Sequence, residues 1–274
     1  MAKKGKEGAS LRFLYHTVIG RFLLKILVAR WISRLCGAFL SSRLSKPLIK
    51  SFVKNNNIDL SQFHSDNFKC FNDCFCRKIK DGLRPLPEDE SVFFSPCDGL
   101  LSAYHLQSDT VLPVKQSAYT LSSLLNEERL EEKYKDGICL VFRLCVNHYH
   151  RYCYPVSGVK GENVFIKGRL HTVRPIALEA RPVFAENCRE YTVIETEKFG
   201  SVLQMEVGAM LVGKIANLHG SGAVIRGDEK GMFLYGGSTV ILLLEKDKIN
   251  INERFFEATA NNEETPVLMG EILQ

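Results

Sequence analysis

Residues 236–244 read GGSTVILLL: two glycines, two hydroxyl residues and then five aliphatic residues in succession. A turn signal followed by such a run predicts a buried strand that begins near Ser238. Similar short β-branched and aromatic runs recur upstream between Gly, Pro and Asn breaks, and their spacing predicts a mainly antiparallel β body rather than repeated βαβ units. The predicted strands are Ser91–Phe94, Ile138–Leu144, Asn163–Phe165, Tyr191–Glu195, Val202–Val207, Ala223–Arg226 and Ser238–Leu244.

One helical insert interrupts this β body, at residues 120–135. Leu121, Leu124 and Leu125 fall at positions i, i+3 and i+4, and Leu130 follows among Glu and Lys. The sequence therefore predicts an α+β fold with a mainly antiparallel β core, one helical insert and, as argued next, N-terminal amphipathic helices.

The N-terminal fifth of the chain is strongly basic. Residues 1–54 carry 12 Lys or Arg against one acidic residue, Glu7, whereas the remainder carries 24 basic and 30 acidic residues. A basic segment on an acidic body indicates an anionic partner, either a membrane surface or a nucleic acid. We expect a basic helical region at residues 1–66 and a β-rich domain at residues 67–274.

Residues 11–28 are strongly apolar, but Arg12, Arg21 and Lys25 interrupt them, so no run approaches the ~20 residues that span a bilayer. The segment is expected to break near Ala29 into two helices. The second helix would carry Trp31, Ile32, Leu35 and Phe39. Large apolar side chains with Lys and Arg are typical of an interfacial membrane anchor. The alternative is a basic-edged helical hairpin packed on the body. A nucleic acid partner is disfavoured because the aliphatic content is too high for a solvated basic arm.

Nine cysteines are scattered along the chain. Cys70, Cys74 and Cys76 cluster, but a C-x3-C-x-C spacing without a second half is not that of a zinc site. Free thiols in a reducing compartment are the better interpretation, and they favour a cytoplasmic location.

Single residues say little about chemistry. Asp98 lies in Ser95-Pro96-Cys97-Asp98-Gly99, where Asp-Gly is first of all a turn signal. His148 and His150 alternate along a predicted strand and would share a face. No carboxylate or cysteine stands near them at metal-site spacing, so we predict no metal.

Taken together and in order, several motifs resemble the phosphatidylserine decarboxylase proenzyme family, from about residue 68 to residue 245. They comprise Phe71-Asn72-Asp73-x-Phe75-x-Arg77-Lys78, Arg84-Pro85, Ser95-Pro96-x-Asp98-Gly99, Tyr149-His150-Arg151 with Pro155 and Gly158, Val207-Gly208-Ala209 through Lys214-Ile215, Gly227-x-Glu229-x-Gly231-x-Phe233, and Gly237-Ser238-Thr239-Val240. The basic apolar N-terminus is similar to the membrane-associating part of these enzymes.

The resemblance implies that Ser238 is converted into a pyruvoyl group, which forms a Schiff base with the substrate amine and accepts the electrons left by decarboxylation. Cleavage would occur between Gly237 and Ser238, where a residue without a Cβ leaves its carbonyl open to attack. By position, His150 would be the base that activates the Ser238 hydroxyl, and Asp98 would be the carboxylate that orients His150. A large chain, 1–237, and a small chain, 238–274, would form a noncovalent heterodimer.

One position departs from the family. Many members carry a second histidine three residues after that of Tyr-His-Arg, and here the residue is Cys153. A thiol is a poorly matched proton shuttle at its usual pKa of ~8.5. His150 would then do both jobs, or His148 or His171 would assist it.

The expected substrate is phosphatidylserine, and the expected place is the cytoplasmic side of the cell membrane, as a peripheral protein on an anionic surface. Two other functions stay open. Lys214 could be the modified lysine of a biotinyl or lipoyl carrier module, although it lies inside an apolar strand pattern rather than at a turn tip. The chain could also be a decarboxylase-like scaffold without activity, for which Cys153 is the hint.

Overall fold

The chain folds around an antiparallel sheet of nine strands, accompanied by a three-stranded and a two-stranded sheet. The computed structural model describes residues 9–106, 112–114, 117–125, 127–180, 182–209, 215–234 and 238–274. Its strands are β1 (Gly99–His105), β2 (Leu112–Val114), β3 (Ser117–Tyr119), β4 (Ile138–Leu144), β5 (Arg151–Cys153), β6 (Gly158–Lys160), β7 (Val164–Ile166), β8 (Arg189–Glu195), β9 (Ser201–Val207), β10 (Ile215–Asn217), β11 (Gly222–Val224), β12 (Glu229–Phe233), β13 (Ser238–Leu244) and β14 (Thr265–Val267). The large sheet runs β11-β6-β8-β9-β13-β4-β1-β14, with β7 also paired to β8, and β10-β12-β5 form the three-stranded sheet.

Helices are concentrated in the N-terminal region and in the connections of the sheet. They are α1 (Ala9–His16), α2 (Val18–Leu27), α3 (Arg30–Leu40), α4 (Leu48–Asn55), α5 (Phe71–Phe75), α6 (Leu121–Leu125), α7 (Glu128–Tyr134), α8 (Pro175–Ala180), α9 (Val183–Glu186) and α10 (Glu253–Ala260), with 3-10 turns at Arg43–Ser45 and Leu60–Gln62.

The strand β13 lies inside the large sheet, between β4 and β9. Its side chains alternate between two hydrophobic clusters: Ile241 and Leu243 pack in one, and Val240, Leu242 and Leu244 pack in the other. A strand buried on both faces reads as a continuous apolar run, which explains why this stretch lacks the usual alternation. The buried strand predicted from the sequence is confirmed.

The N-terminal helices both pack on the body and expose apolar surface. Tyr15, Leu24 and Val28 are buried in the same cluster as β9 and β13. Of the 19 exposed large hydrophobic residues among those described, ten lie between Phe13 and Leu48. None of the helices in the described part of the chain is both long and apolar enough to cross a bilayer. The predicted domain boundary at residue 66 stays a prediction.

Several other local predictions can be compared with the structure. The break near Ala29 is confirmed, since α2 ends at Leu27 and α3 begins at Arg30. The prediction of a single helix before this break is wrong, because α1 ends at His16 and α2 begins at Val18. The helical insert is confirmed as α6 and α7, whereas α8, α9 and α10 were not predicted. All nine cysteines are free thiols, as predicted.

The predicted strand Ser91–Phe94 is wrong. Asp89 Oδ1 accepts hydrogen bonds from both the amide (2.8 Å) and the hydroxyl (2.7 Å) of Ser91, and this local turn competes with extended pairing. Only one isolated bridge forms there, between Phe94 and Ile272.

Candidate active site

The connection from β4 to β5 and the connection from β12 to β13 lie next to each other, because the strands that flank them are paired. Ser238, the first residue of β13, pairs with Leu144, the last residue of β4. Arg151, the first residue of β5, pairs with Met232 near the end of β12. Residues 145–150, hereafter the histidine loop, connect β4 to β5. The connection from β12 to β13 runs between the strands paired with these two, β12 with β5 and β13 with β4.

The predicted cleavage bond falls in that second connection. Gly237 lies outside the described residues, and for Ser238 the structure describes the backbone at the start of β13. On the other side of the connection, the amide of Phe233 donates to the carbonyl oxygen of His150 at 2.9 Å. The histidine loop thus reaches from the strand end that pairs with Ser238 to the strand end that precedes the bond.

His150 is fully buried and has a fixed tautomer. Its Nδ1 lies 2.9 Å from the carbonyl oxygen of His148, so the neutral ring donates from Nδ1 and carries its lone pair on Nε2. Nε2 is buried without a hydrogen-bond partner among the described residues. The ring packs against Phe75 with centroids 3.9 Å apart. Burial, reinforced by the guanidinium of Arg77, holds the pKa of His150 well below its ordinary value, so the ring is a neutral acceptor at physiological pH.

His148 has the opposite hydrogen-bonding arrangement. Its Nδ1 accepts from the amide of Cys145 at 3.2 Å, which leaves the proton of the neutral ring on Nε2. Burial lowers the pKa of His148, and the charge of Asp98 opposes this. The prediction that His148 and His150 alternate along a strand is wrong. The chain turns after Cys145, as the hydrogen bond from the His148 amide to the Cys145 carbonyl shows (2.9 Å), and β5 begins only at Arg151.

Asp98 is buried just before β1 and bound by Arg84. The guanidinium donates from Nε and Nη2 to the two carboxylate oxygens at 2.8 and 2.6 Å, and the amide of Met269 donates at 2.9 Å. These bonds raise the pKa of Arg84. No hydrogen bond or ion pair joins Asp98 to His150 among the described residues, and the His148 carbonyl rather than the Asp98 carboxylate accepts the His150 Nδ1 proton.

Cys153 is placed for packing rather than proton transfer. Burial raises the pKa of its thiol to about 12, and Sγ donates to the carbonyl oxygen of Pro96 at 3.4 Å. The backbone amide of Cys153 donates to the same oxygen at 2.9 Å. These contacts hold β5 against the segment that leads to Asp98.

His171 lies on the other side of β13 from the histidine loop. The buried amide side chain of Asn187 bonds both the amide and the carbonyl of His171 at 2.8 Å and the carbonyl of Gly208 at 2.7 Å. Gly208 follows β9, the strand that pairs with β13 opposite β4. The His171 ring contacts Tyr15 Oη through Nδ1 (3.3 Å) and Glu186 through Nε2 (3.3 Å).

Arginines that sequence reasoning did not single out position the histidine loop. The buried Arg77 donates from Nη2 to the carbonyls of Asn147 and His148 at 2.9 and 3.2 Å. Arg151 donates to the carbonyl of Cys76 at 2.8 Å and forms an ion pair with Glu229 at 2.6 Å. Both residues belong to the motifs quoted above, but only the structure assigns them these partners.

Comparison with known proteins gives a consistent result. A family model described as phosphatidylserine decarboxylase matches residues 71–273. The chain is similar to phosphatidylserine decarboxylase proenzyme 2 of Clostridium acetobutylicum, with 41% identity over 98% of this chain and 92% of that protein. Phosphatidylserine decarboxylase proenzymes of Clostridium botulinum strain 657 and Clostridium novyi are each 39% identical over 95% of this chain and 90% of theirs.

Proposed function

Because the chain belongs to the phosphatidylserine decarboxylase family, we propose that it makes a pyruvoyl group from its own Ser238. The chain decarboxylates phosphatidylserine, releasing carbon dioxide and leaving phosphatidylethanolamine. Loss of carbon dioxide leaves an electron pair that needs a sink, and the pyruvoyl carbonyl supplies one when it is formed.

The proposed self-cleavage begins with proton transfer from the Ser238 hydroxyl to Nε2 of His150. The hydroxyl oxygen attacks the Gly237 carbonyl carbon, the peptide C–N bond breaks, and the nitrogen leaves as an amine, so that an ester replaces the amide. Loss of the Ser238 Cα proton then forms a Cα=Cβ double bond and breaks the bond between Cβ and the ester oxygen, giving a carboxylate at residue 237 and dehydroalanine at residue 238. The imine form of dehydroalanine reacts with water to give the carbonyl group and ammonia.

One observation carries this assignment of the base: His150 presents a neutral, buried Nε2 acceptor on a loop whose flanking residues pair with Ser238 and with the end of β12. A general base must hold a lone pair near the proton that it removes. His148 meets this condition less well, because its Nδ1 lone pair already accepts the Cys145 amide.

Asp98 is assigned an indirect part in this proposal. Its charge acts on His148, and the His148 carbonyl in turn orients His150. His148, which keeps a proton on Nε2, is our candidate for proton donor in the decarboxylation step, with His171 as the alternative. Cys153 is not assigned a proton-transfer role.

The small chain, 238–274, is proposed to remain bound to the large chain, 1–237, as a heterodimer. Seven residues of β13 pair with β4 and six pair with β9, and β14 pairs with β1. A strand paired on both sides keeps its backbone hydrogen bonds after the chain is cut at its first residue.

Peripheral attachment to an anionic membrane, on its cytoplasmic side, is part of the same proposal. The exposed apolar residues of α1–α3 lie among Lys and Arg side chains, as in helices that bind at the lipid interface. The nine free thiols fit a reducing compartment.

A denaturing gel with intact-mass measurement tests the cleavage. The wild type should give two fragments, and residues 238–274 should resist stepwise N-terminal sequencing because a carbonyl replaces the amine. Ser238→Ala should stay uncut, and His150→Gln should cut far more slowly, whereas His105→Gln, a change at an exposed histidine, should cut normally. A small fragment from Ser238→Ala would refute the assignment. One uncut wild-type chain would favour the inactive scaffold, and a mass gain on Lys214, which lies outside the described residues, would favour the carrier.

A further inference from the structure

A basic groove separates the N-terminal helices from the body of the protein. Two adjoining cavities of about 380 and 440 Å³ form it, and both are lined by Val28 and Arg169. Arg21 and Lys25 of α2 line the first cavity, and Arg34 of α3 lines the second. We call these cavities together the basic groove.

The four cations of the groove are free to bind an anion. Arg21, Lys25, Arg34 and Arg169 are exposed, and no carboxylate in the described part of the chain forms an ion pair with any of them. The carboxylate of Glu186 lies 3.3 Å from Nε2 of His171, which lines the first cavity. Four like charges around one concavity repel each other, and an anionic ligand would relieve that repulsion.

The rim of the groove is apolar on the helix side. Val18 and Phe22 line the first cavity and Trp31 lines the second, and their relative exposures are 76%, 66% and 58%. A free phosphate ion has no apolar surface to bury against this rim. A phospholipid has an anionic phosphodiester next to apolar chains, and this combination matches cations in a concavity with large apolar side chains around it.

The floor of the groove connects to the strand that begins at Ser238. The amide of Arg169 donates to the carbonyl of Glu186 at 2.8 Å, and Arg169 forms a bridge with Asn187. Asn187 also bonds the carbonyl of Gly208, which follows the strand paired with β13. A cation that binds a headgroup at this point is therefore fixed to the same framework as the candidate active site.

We propose that the basic groove binds the phosphodiester of a membrane phospholipid, with Arg169 on the body and Arg34, Arg21 and Lys25 on the helices as its ligands. The acyl chains would lie along Phe22 and Trp31, and the headgroup would extend past His171 toward the start of β13. This inference deepens the proposed function and rests on it, because it names the residues that would hold the substrate's phosphate.

Trp31 provides a binding signal that does not depend on catalysis, since it is the single tryptophan of the chain. The full-length protein is titrated at physiological salt with vesicles of phosphatidylcholine and phosphatidylglycerol in equal parts, and Trp31 emission should shift to shorter wavelength. The double variant Arg34→Gln/Arg169→Gln should raise the apparent Kd about tenfold, since charge-assisted contacts to phosphate are lost. Arg43→Gln/Arg129→Gln removes the same charge from exposed arginines outside the groove and should change the Kd less than about twofold.

Several results would overturn the proposal. Equal weakening by the two double variants would mean diffuse attraction to the surface rather than a site. A Trp31 shift with inorganic phosphate alone and none with vesicles would identify a phosphate site and not a lipid site. Arg169→Lys keeps the charge and should retain most of the binding; if it binds no better than Arg169→Gln, the charge of this residue is not what binds the lipid.

A kinetic measurement separates this proposal from the proposed function. With phosphatidylserine in mixed micelles, Arg34→Gln/Arg169→Gln should raise KM about tenfold and leave kcat within about twofold, because the contact is made in ground state and transition state alike. An unchanged KM in a fully self-cleaved variant would overturn the groove assignment and leave the cleavage mechanism intact. An uncut wild type would overturn the cleavage mechanism, and the Trp31 titration would still decide whether the groove binds lipid.

Discussion

The buried histidine loop predicts a specific loss of stability in mild acid. Because burial holds the pKa of His150 well below its ordinary value of 6.5, the folded chain keeps this ring neutral while the unfolded chain binds a proton below that pH. The unfolded state then binds more protons, so the free energy of unfolding rises with pH, and this contribution is lost as pH falls below 6.5. Between about pH 7.5 and about pH 5.5, one such histidine accounts for a loss of about 1.4 kcal/mol.

The test compares His150→Gln with its parent, both in the uncut Ser238→Ala chain so that a single polypeptide unfolds. Glutamine can still donate a hydrogen bond to the His148 carbonyl but does not titrate. Urea unfolding followed by circular dichroism at the two pH values should show that the variant loses about 1.4 kcal/mol less than the parent.

Phe75→Leu is the control, because it weakens packing against His150 and leaves the titrating ring in place. It should be less stable than the parent at both pH values and should lose as much stability as the parent in acid. If His150→Gln and the parent lose the same free energy of unfolding between the two pH values, the fold does not hold His150 neutral. That result would remove the physical basis for assigning Nε2 of His150 as the base.

Three further predictions concern other buried groups. Arg84→Gln should slow self-cleavage and cost about 3–5 kcal/mol in urea unfolding, because it leaves Asp98 as a buried charge without its partner. Cys153→Ala should leave the rates of self-cleavage and of carbon dioxide release within about twofold, because a thiol with a pKa of about 12 stays protonated. Lys230→Met should cost about 3–5 kcal/mol because it strands the buried Glu206 carboxylate, and Lys230→Met/Glu206→Leu should recover most of that loss in the same urea measurement.

The sequence predicts the sheet where burial alone decides the structure. Ile138–Leu144 and Ser238–Leu244 are both strands with the predicted bounds, and they pair with each other along their full length. Each run is apolar enough that no local alternative competes with burial. Ser91–Phe94 has similar residues, but the Asp89 side chain offers its backbone a turn that the apolar pattern does not reveal.

The sequence predicted candidate site residues, but it did not predict the hydrogen-bond partners that the structure gives them. Asp98 was expected to orient His150, but Arg84 binds Asp98 and the His148 carbonyl orients His150. Pattern matching nominates candidate residues for a site. It cannot choose among several polar neighbours, because that choice depends on where the histidine loop turns.

The contacts that hold the site together explain why the pairings are hidden from the sequence. Arg77 binds the carbonyls of Asn147 and His148, and Arg151 binds the carbonyl of Cys76. Every residue has a backbone carbonyl, so an arginine that binds one leaves no matching side chain elsewhere in the sequence to mark the contact. Arg77 nevertheless fixes the peptide that orients His150, our proposed base, because the His148 carbonyl it binds is the one that accepts Nδ1–H of His150. The Nδ1 proton of His150 is therefore positioned by an arginine far away in the chain, which acts through a main-chain oxygen rather than through a carboxylate.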